Sequence, residues 1–397
     1  MKRDEKKYSI IIATPRFYPI VGGGENQARL VAEELIKRGN RVRVVSSRIK
    51  GTAKDEMLGS IPIHRVPSFN FKKEKGLPAI LENLLYVFSL IGYGLFRLRQ
   101  FDVIIFFFGL DYFSIPAFFF KLFGKKSFVR TASTFSPEIG NLRGSAFYSL
   151  RKKGYAAFDR FLAISSFIEK RFIEEGVKPE RIRRMNNGVD TNKFHPLDPE
   201  QRKQMRETLG LKQESIYLLY CGHLNANKGI DFLIRSISIL NDVPNNVELL
   251  VLGSGKFAQN IIEDSVKKEA KEIKSQITVD FLGQVADREK YFQTADIFIL
   301  PSQSEGLPNV LIEARACGLP SIATRVSGVP DVIEEGVDGL IIDYGDEEAL
   351  RKAIRKLISS SVLRKQFGEE ALRKILQQYD ITVVAKNFEK LFEEVIA

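Results

Sequence analysis

Apolar residues along this chain fall into two spacings that alternate from one end to the other. Tyr8 to Thr14 is a short β-branched run, which predicts a strand. After Pro15 and Pro19 and the glycines Gly22, Gly23 and Gly24, the residues Ala28, Val31, Ala32, Leu35 and Ile36 recur at helical spacing. Gly39 stands where a left-handed residue would close that helix. Val42 to Ser46 returns to strand spacing, so the first fifty residues read as a β-loop-α-β unit of the nucleotide-binding kind. Further strands are expected at Val103–Phe108, Ser127–Thr131 and Phe161–Ile164.

The periodicity breaks over 186–200, where Gly188, Pro196 and Pro199 interrupt it. A second alternating series follows, with strands at Tyr217–Cys221, Val247–Leu252, Ile277–Leu282, Ile297–Leu300 and Ser321–Thr324 and helices starting at Ile230 and about Pro308. Strands alternating with helices predict an α/β chain of two doubly wound, Rossmann-like domains, 1–190 and 191–380, facing a central cleft. The stripe Val384, Phe388, Leu391, Phe392 and Val395 implies a last helix, about 381–397, that packs back on the N-terminal domain.

The 397 residues, 44% hydrophobic and 27% charged, exclude disordered, collagen-like and coiled-coil chains. Two cysteines, Cys221 and Cys317, cannot build a disulfide framework or a zinc cluster, and the histidines His64, His195 and His223 are too scattered to suggest a metal site. The apolar run Ile10 to Ala13 ends too soon for an export signal. The runs Ala79–Phe96 and Phe101–Phe123, broken by Glu82 and by Asp102, Asp111 and Pro116, are expected to fall short of a membrane span. A cytoplasmic protein, at most peripheral on the inner face of the membrane, is therefore expected.

Charge sharpens that expectation. Of the 60 Lys and Arg and 49 Asp and Glu, residues 1–200 hold 35 and 20, a balance of +15, and the remainder 25 and 29, a balance of −4. The basic half also holds Phe106-Phe107-Phe108, Phe118-Phe119-Phe120, Lys125-Lys126 and Arg151-Lys152-Lys153. Such a combination suits an anionic membrane surface, or a Phe-rich core with a solvated basic face. No nucleic-acid-binding motif accompanies it.

The stretch richest in chemistry runs from Ser304 to Ala314. A strand enters it and a helix starts near Pro308, a residue suited to the first helical position, so backbone amides there form an anion site. Glu305 precedes the helix and Glu313 lies about 7.5 Å further along its axis. Two carboxylates flanking an anion site fit a diphosphate with hydroxyl-bearing rings on either side, which is a nucleotide sugar.

The Glu305 to Glu313 spacing resembles the E-x7-E motif of glycosyltransferase family 4, retaining enzymes of the GT-B fold. The resemblance runs along nearly the whole chain. Tyr18 to Glu25 looks like the glycine-rich acceptor-side loop, and Asn187-Gly188-Val189-Asp190 with Phe194 and Pro196 like the interdomain signature. Tyr220-Cys221-Gly222-His223-Leu224, Lys228-Gly229, Ala295-Asp296, Pro301-Ser302, Gly328-Val329-Pro330 and Asp338-Gly339 are similar to the donor-domain pattern.

The resemblance implies a transferase that moves a hexose from a nucleoside diphosphate to an acceptor hydroxyl. Glu305 would contact the donor sugar, Lys228 the diphosphate, Glu313 the ribose, and the amides around Gly306, Leu307, Pro308 and Asn309 the sugar and phosphates. Gly222, Gly253 and Gly283 would let backbone approach the nucleotide. Gly22, Gly23, Gly24 and Arg130 would lie on the acceptor side. Two residues depart from the pattern: His223 stands where the family usually has arginine, and Ser133 where it often has histidine. No Asp-x-Asp element suited to a metal on the diphosphate is present, so neither metal nor other cofactor is expected. The basic, aromatic half points to an acceptor carried on a membrane, such as a lipid-linked saccharide of the cell envelope. A nucleotide-sugar epimerase, or a nucleotide-sugar binding protein without activity, remains open on the residues alone.

Overall fold

The computed structural model describes residues 6–20, 22–70, 77–107, 112–131, 153–255 and 261–396. The chain divides into two compact units, Met1–Gly188 with Ile381–Ala397, and Val189–Asp380. In the first, the strands are β1 (Ser9–Ala13), β2 (Arg41–Ser47), β3 (Asp55–Leu58), β4 (Ile61–Val66), β5 (Val103–Phe107), β6 (Lys126–Thr131), β7 (Arg160–Ala163) and β8 (Ile182–Arg184). They lie in the order β3-β4-β2-β1-β5-β6-β7-β8, parallel except for the edge strand β3, which is antiparallel to β4. β1 and β5 are buried at every position, as strands covered on both faces of a parallel sheet must be.

Around this sheet stand α1 (Gly23–Lys37), α2 (Leu77–Leu95), α3 (Ser114–Leu122), α4 (Ser166–Glu174) and the C-terminal helix Ile381–Ile396. The C-terminal helix sinks Val384, Phe388, Leu391 and Phe392 into the core of this unit, with Phe392 stacked on Phe128. Glu389 of that helix accepts from Arg38 at 2.6 Å and from Asn40 at 2.7 Å, which ties it to the end of α1.

The apolar run before residue 96 departs from expectation. It forms one continuous helix, α2, that is long and apolar enough to cross a membrane by length and composition, with only 28% of its most apolar 18-residue window buried. Glu82 does not interrupt it, since glutamate is a good helix former, and its carboxylate accepts the Phe69 amide at 3.1 Å. The phenylalanines also divide: Phe106, Phe107 and Phe120 are core, while Phe88, Phe96, Phe118 and Phe123 are exposed.

In the second unit, β9 (Ile216–Cys221), β10 (Val247–Leu252), β11 (Thr278–Gly283), β12 (Ile297–Leu300), β13 (Ser321–Thr324) and β14 (Leu340–Ile342) form an all-parallel sheet in the order β11-β10-β9-β12-β13-β14. Its helices are α5 (Pro199–Thr208), α6 (Ile230–Ile237), α7 (Glu263–Lys271), α8 (Arg288–Thr294), α9 (Asn309–Ala316), α10 (Val329–Val332), α11 (Glu347–Ile358) and α12 (Ser361–Gln378). Strand order reverses between β9 and β12, and the loops leaving those two strands open the crevice in which doubly wound sheets hold ligands. Asp296 fixes the start of β12: it accepts from Arg202, Arg206 and the Tyr217 amide, each at 2.8 Å.

Candidate active site

The loops after β9 and β12 meet at the switch point. Lys228 closes a single turn, Ala226–Lys228, and its amide donates to the Asn225 side chain at the N-cap, at 3.1 Å. Gly229 follows at φ 65°, and any side chain there would collide with the carbonyl oxygen of Pro301, so the turn presses directly on the end of β12. The Gln303 amide donates to Asn227 at 2.9 Å across the same junction. This brings the Lys228 ammonium to 2.7 Å from Glu305 Oε1, which also accepts from the Ser302 hydroxyl at 2.7 Å. Thr324 on β13 holds the Ser302 carbonyl in turn.

Leu307 and Pro308 are buried behind Glu305. Pro308 is the N-cap of α9, not its first helical residue: its ψ of 112° is extended, so the helix begins at Asn309. Proline offers no capping oxygen, so the N-cap residue itself makes no side-chain capping bond. Glu313, in the second turn, is 4% exposed. Its Oε1 pairs with Arg288 at 2.6 Å, while Oε2 is buried with no hydrogen-bond partner among the described residues. Burial pushes this carboxyl up to about 7, although Arg288 pulls the other way. An unsatisfied buried acceptor costs about 1–3 kcal/mol, so Oε2 is a standing acceptor for a hydroxyl that enters the site.

The other expected donor-side residues line the carboxyl ends of β9, β10 and β11. Gly222 donates to Leu252 at 2.9 Å and Gly253 to Gly283 at 2.7 Å. Gly253 lies against the Gly222 carbonyl with no room for a side chain, so a contact within the protein already requires this glycine. His223 is exposed and its carbonyl accepts from the Tyr220 hydroxyl at 2.9 Å. The Gly306 carbonyl accepts from Gly328 at 3.1 Å. Asp338 is paired with the buried Arg315 at 2.7 Å and holds the fold of this unit.

In the first unit, Gly22 precedes α1, but Gly23 and Gly24 are its first helical residues and not loop. Arg130 on β6 is buried; it donates to Asn187 at 2.6 Å, lies 5.1 Å over the Phe107 ring, and its Nε has no partner among the described residues. Burial lowers its pKa to about 9. Gln27 of α1 bonds both the amide and the carbonyl of Gly188, at 2.7 and 2.8 Å. Ser133, Arg151 and Lys152 lie outside the described residues. Sequence reasoning missed Arg288 and the role of Ser302. Neither sits in an apolar period, and Arg288 meets Glu313 across 25 residues of chain. Among the described residues no group of His, Cys, Asp and Glu could hold a metal ion.

Residues 21–193 match the family described as Glycosyltransferase Family 4, and residues 201–374 the one described as Glycosyl transferases group 1. The chain belongs to glycosyltransferase family 4. Among its relatives, this family member is 28% identical over 207 residues to the capsular polysaccharide biosynthesis glycosyltransferase CapM of Staphylococcus aureus, covering 52% of this chain and 53% of that one. It is 29% identical over 248 residues to a GDP-mannose-dependent monoacylated alpha-(1-6)-phosphatidylinositol monomannoside mannosyltransferase of Corynebacterium glutamicum, covering 60% and 62%. The chain thus spans little more than half the length of the curated relatives it matches. Among solved structures, it superposes on sucrose-phosphate synthase from Thermosynechococcus elongatus with a TM-score of 0.80 at 18% identity, covering 98% and 99% of the two chains. It superposes on HepE of Anabaena in complex with UDP with a TM-score of 0.78 at 18% identity, covering 97% and 100%. At such identities these likenesses establish the fold, which is GT-B.

Proposed function

We propose that this protein is a retaining hexosyltransferase that moves a sugar from a nucleoside diphosphate to a hydroxyl of a lipid-linked or envelope saccharide. The observation that carries this reading is the cluster at the switch point of the second unit: Lys228 against Glu305, with the N-terminus of α9 and the unsatisfied oxygen of Glu313 on the same loop and helix. The diphosphate lies against Lys228 and the first turn of α9, which meet its charge without a metal. Glu313 Oε2 accepts from ribose, and Glu305 from the sugar. As the C1–O bond to the diphosphate breaks, the acceptor oxygen bonds C1 on the same face and its proton passes to the departing phosphate oxygen. Lys228 stabilises the charge that grows there, which is where fixed charge lowers a barrier most. Exposed His223 offsets that charge only when it carries a proton, and Arg130 with Gly22, Gly23 and Gly24 serves the acceptor side.

The names of the relatives support an envelope acceptor: one serves capsular polysaccharide biosynthesis and another acts on a phosphatidylinositol mannoside. The test is product analysis with radiolabelled UDP-, GDP- and ADP-hexoses, with and without a lipid extract, in the presence of a chelator. The reading expects slow donor hydrolysis alone, label in the lipid fraction with extract, a retained anomeric configuration, and no effect of the chelator. Recovery of an epimerised sugar, or of bound but unchanged donor, would overturn it.

A further inference from the structure

We propose that the first unit carries a separate anion site, an arginine-lined cavity that takes the phosphate of an anionic lipid headgroup and so seats this unit on a membrane surface. The proposal goes beyond the transfer reaction and uses none of its residues. The cavity, of about 500 Å³, is walled by the first residues of β1 and β2 and by Phe101, just before β5. It therefore opens at the amino ends of the parallel strands, the rim opposite the one where doubly wound sheets hold their substrates.

Its wall carries Arg41, Arg43, Arg97 and Arg99 and no carboxylate. Strand alternation sets Arg41 and Arg43 on one side of β2. Tyr93 of α2 braces two of the four: its hydroxyl accepts from Arg43 at 3.3 Å, and the Arg97 guanidinium lies 4.2 Å over its ring. Among the described residues none of the four arginines forms an ion pair. Asp102, next to Phe101 in sequence, has its Oδ2 engaged by the Ser9 amide at 2.8 Å. Asp55, held by His64 at 2.7 Å, feels the charge of Arg43 without pairing with it, and the four guanidinium groups outnumber the nearby carboxylates Asp55 and Asp102 and repel one another. A phosphate relieves that repulsion and matches the planar donor fork of arginine.

The rim of the cavity identifies the source of the phosphate. Leu95 and Phe96, between Tyr93 and Arg97, are exposed, Phe96 to 87%. Gly94 has no side chain, which lets Phe120 of α3 lie directly on α2 and draws the end of α3, with exposed Leu122 and Phe123, to the same corner. Phe101 packs edge-on to Phe120 at 5.5 Å and carries the Lys125 ammonium 5.1 Å over its ring. The only carboxylate on α2 and α3 is Glu82, near the far end of α2. A basic cavity continuous with exposed aromatic and aliphatic side chains suits the headgroup layer of an anionic bilayer, where charge and apolar burial act together. A soluble phosphate compound would leave the apolar rim without a partner.

Sedimentation of the full chain with phosphatidylglycerol or phosphatidylcholine vesicles tests this, alongside calorimetry with inorganic pyrophosphate. The variants are Arg41→Gln with Arg99→Gln, and Leu95→Ser with Phe96→Ser, with melting temperature as the folding control. Binding should be confined to phosphatidylglycerol and should fall about tenfold or more in the arginine variant and again in the apolar one. Hydrolysis of a soluble donor should stay unchanged in both, which separates failure here from failure of the transfer reading. Equal vesicle binding by wild type and the arginine variant would overturn the site. Arginine-dependent binding of pyrophosphate with no preference for anionic vesicles would overturn the lipid assignment and leave a soluble phosphate ligand.

Discussion

Lys228 and Glu305 share one short ion pair, with the Ser302 hydroxyl as a third member, so removing either leaves its partner partly buried without a counter-charge. Lys228→Ala is expected to lower transfer by about 10- to 100-fold, the worth of a charged hydrogen bond, while His223→Ala, at an exposed side chain, costs less than about tenfold. Initial rates of donor hydrolysis check both. Glu313 makes a prediction of a different kind. Its carboxyl is held at about 7 in the fold, against an ordinary value of 4.5, because it is buried. Below pH 4.5 folded and unfolded chains both carry it protonated and its contribution to stability is complete. As the pH rises the unfolded chain ionises first, so stability drains until the folded group ionises as well, a loss on the order of 3 kcal/mol by pH 7. Glu313→Gln cannot ionise. Its stability relative to wild type should therefore rise by about that amount between pH 4.5 and 7.5 in denaturant melts, and parallel curves would contradict the assigned environment.

At the level of elements, the loops after β9 and β12 are locked where Gly229 meets the Pro301 carbonyl. Gly229→Ala combines a left-handed backbone with that collision and should cost about 1–3 kcal/mol of stability and weaken nucleotide binding with it, measurable by urea melts and calorimetry on one preparation. The alternation of strands and helices was legible because buried parallel strands are unbroken apolar runs, such as Ile10 to Ala13 and Val103 to Phe107. The edge pair β3 and β4 was not: Asp55-Glu56-Met57-Leu58 is half-exposed at the sheet margin and shows no alternation. Nor was β8, three residues of which two are arginine. The Glu305 loop could be read because strand, loop and helix follow one another in sequence. The Arg288 partner of Glu313 could not, because it depends on how α8 and α9 pack, and no local period encodes that. The length of α2 was discounted for one charge, Glu82, which a helix tolerates.

Across the whole molecule the charge is unequal, +15 over residues 1–200 and −4 over the rest, and the first unit carries both the exposed apolar side chains of α2 and α3 and the arginine cavity. Vesicle binding should therefore weaken as salt rises from low to physiological strength, where the screening length falls to about 8 Å. The central claim is that the switch point of the second unit holds a nucleoside diphosphate. Calorimetric titration of the full chain with UDP, GDP and ADP tests it most directly, repeated on Lys228→Ala and Glu313→Ala. The account predicts that at least one of the three binds, that Glu313→Ala weakens it by about 1–3 kcal/mol, and that Lys228→Ala weakens it at least as much. Binding of none of the three, or equal binding by wild type and both variants, would contradict it.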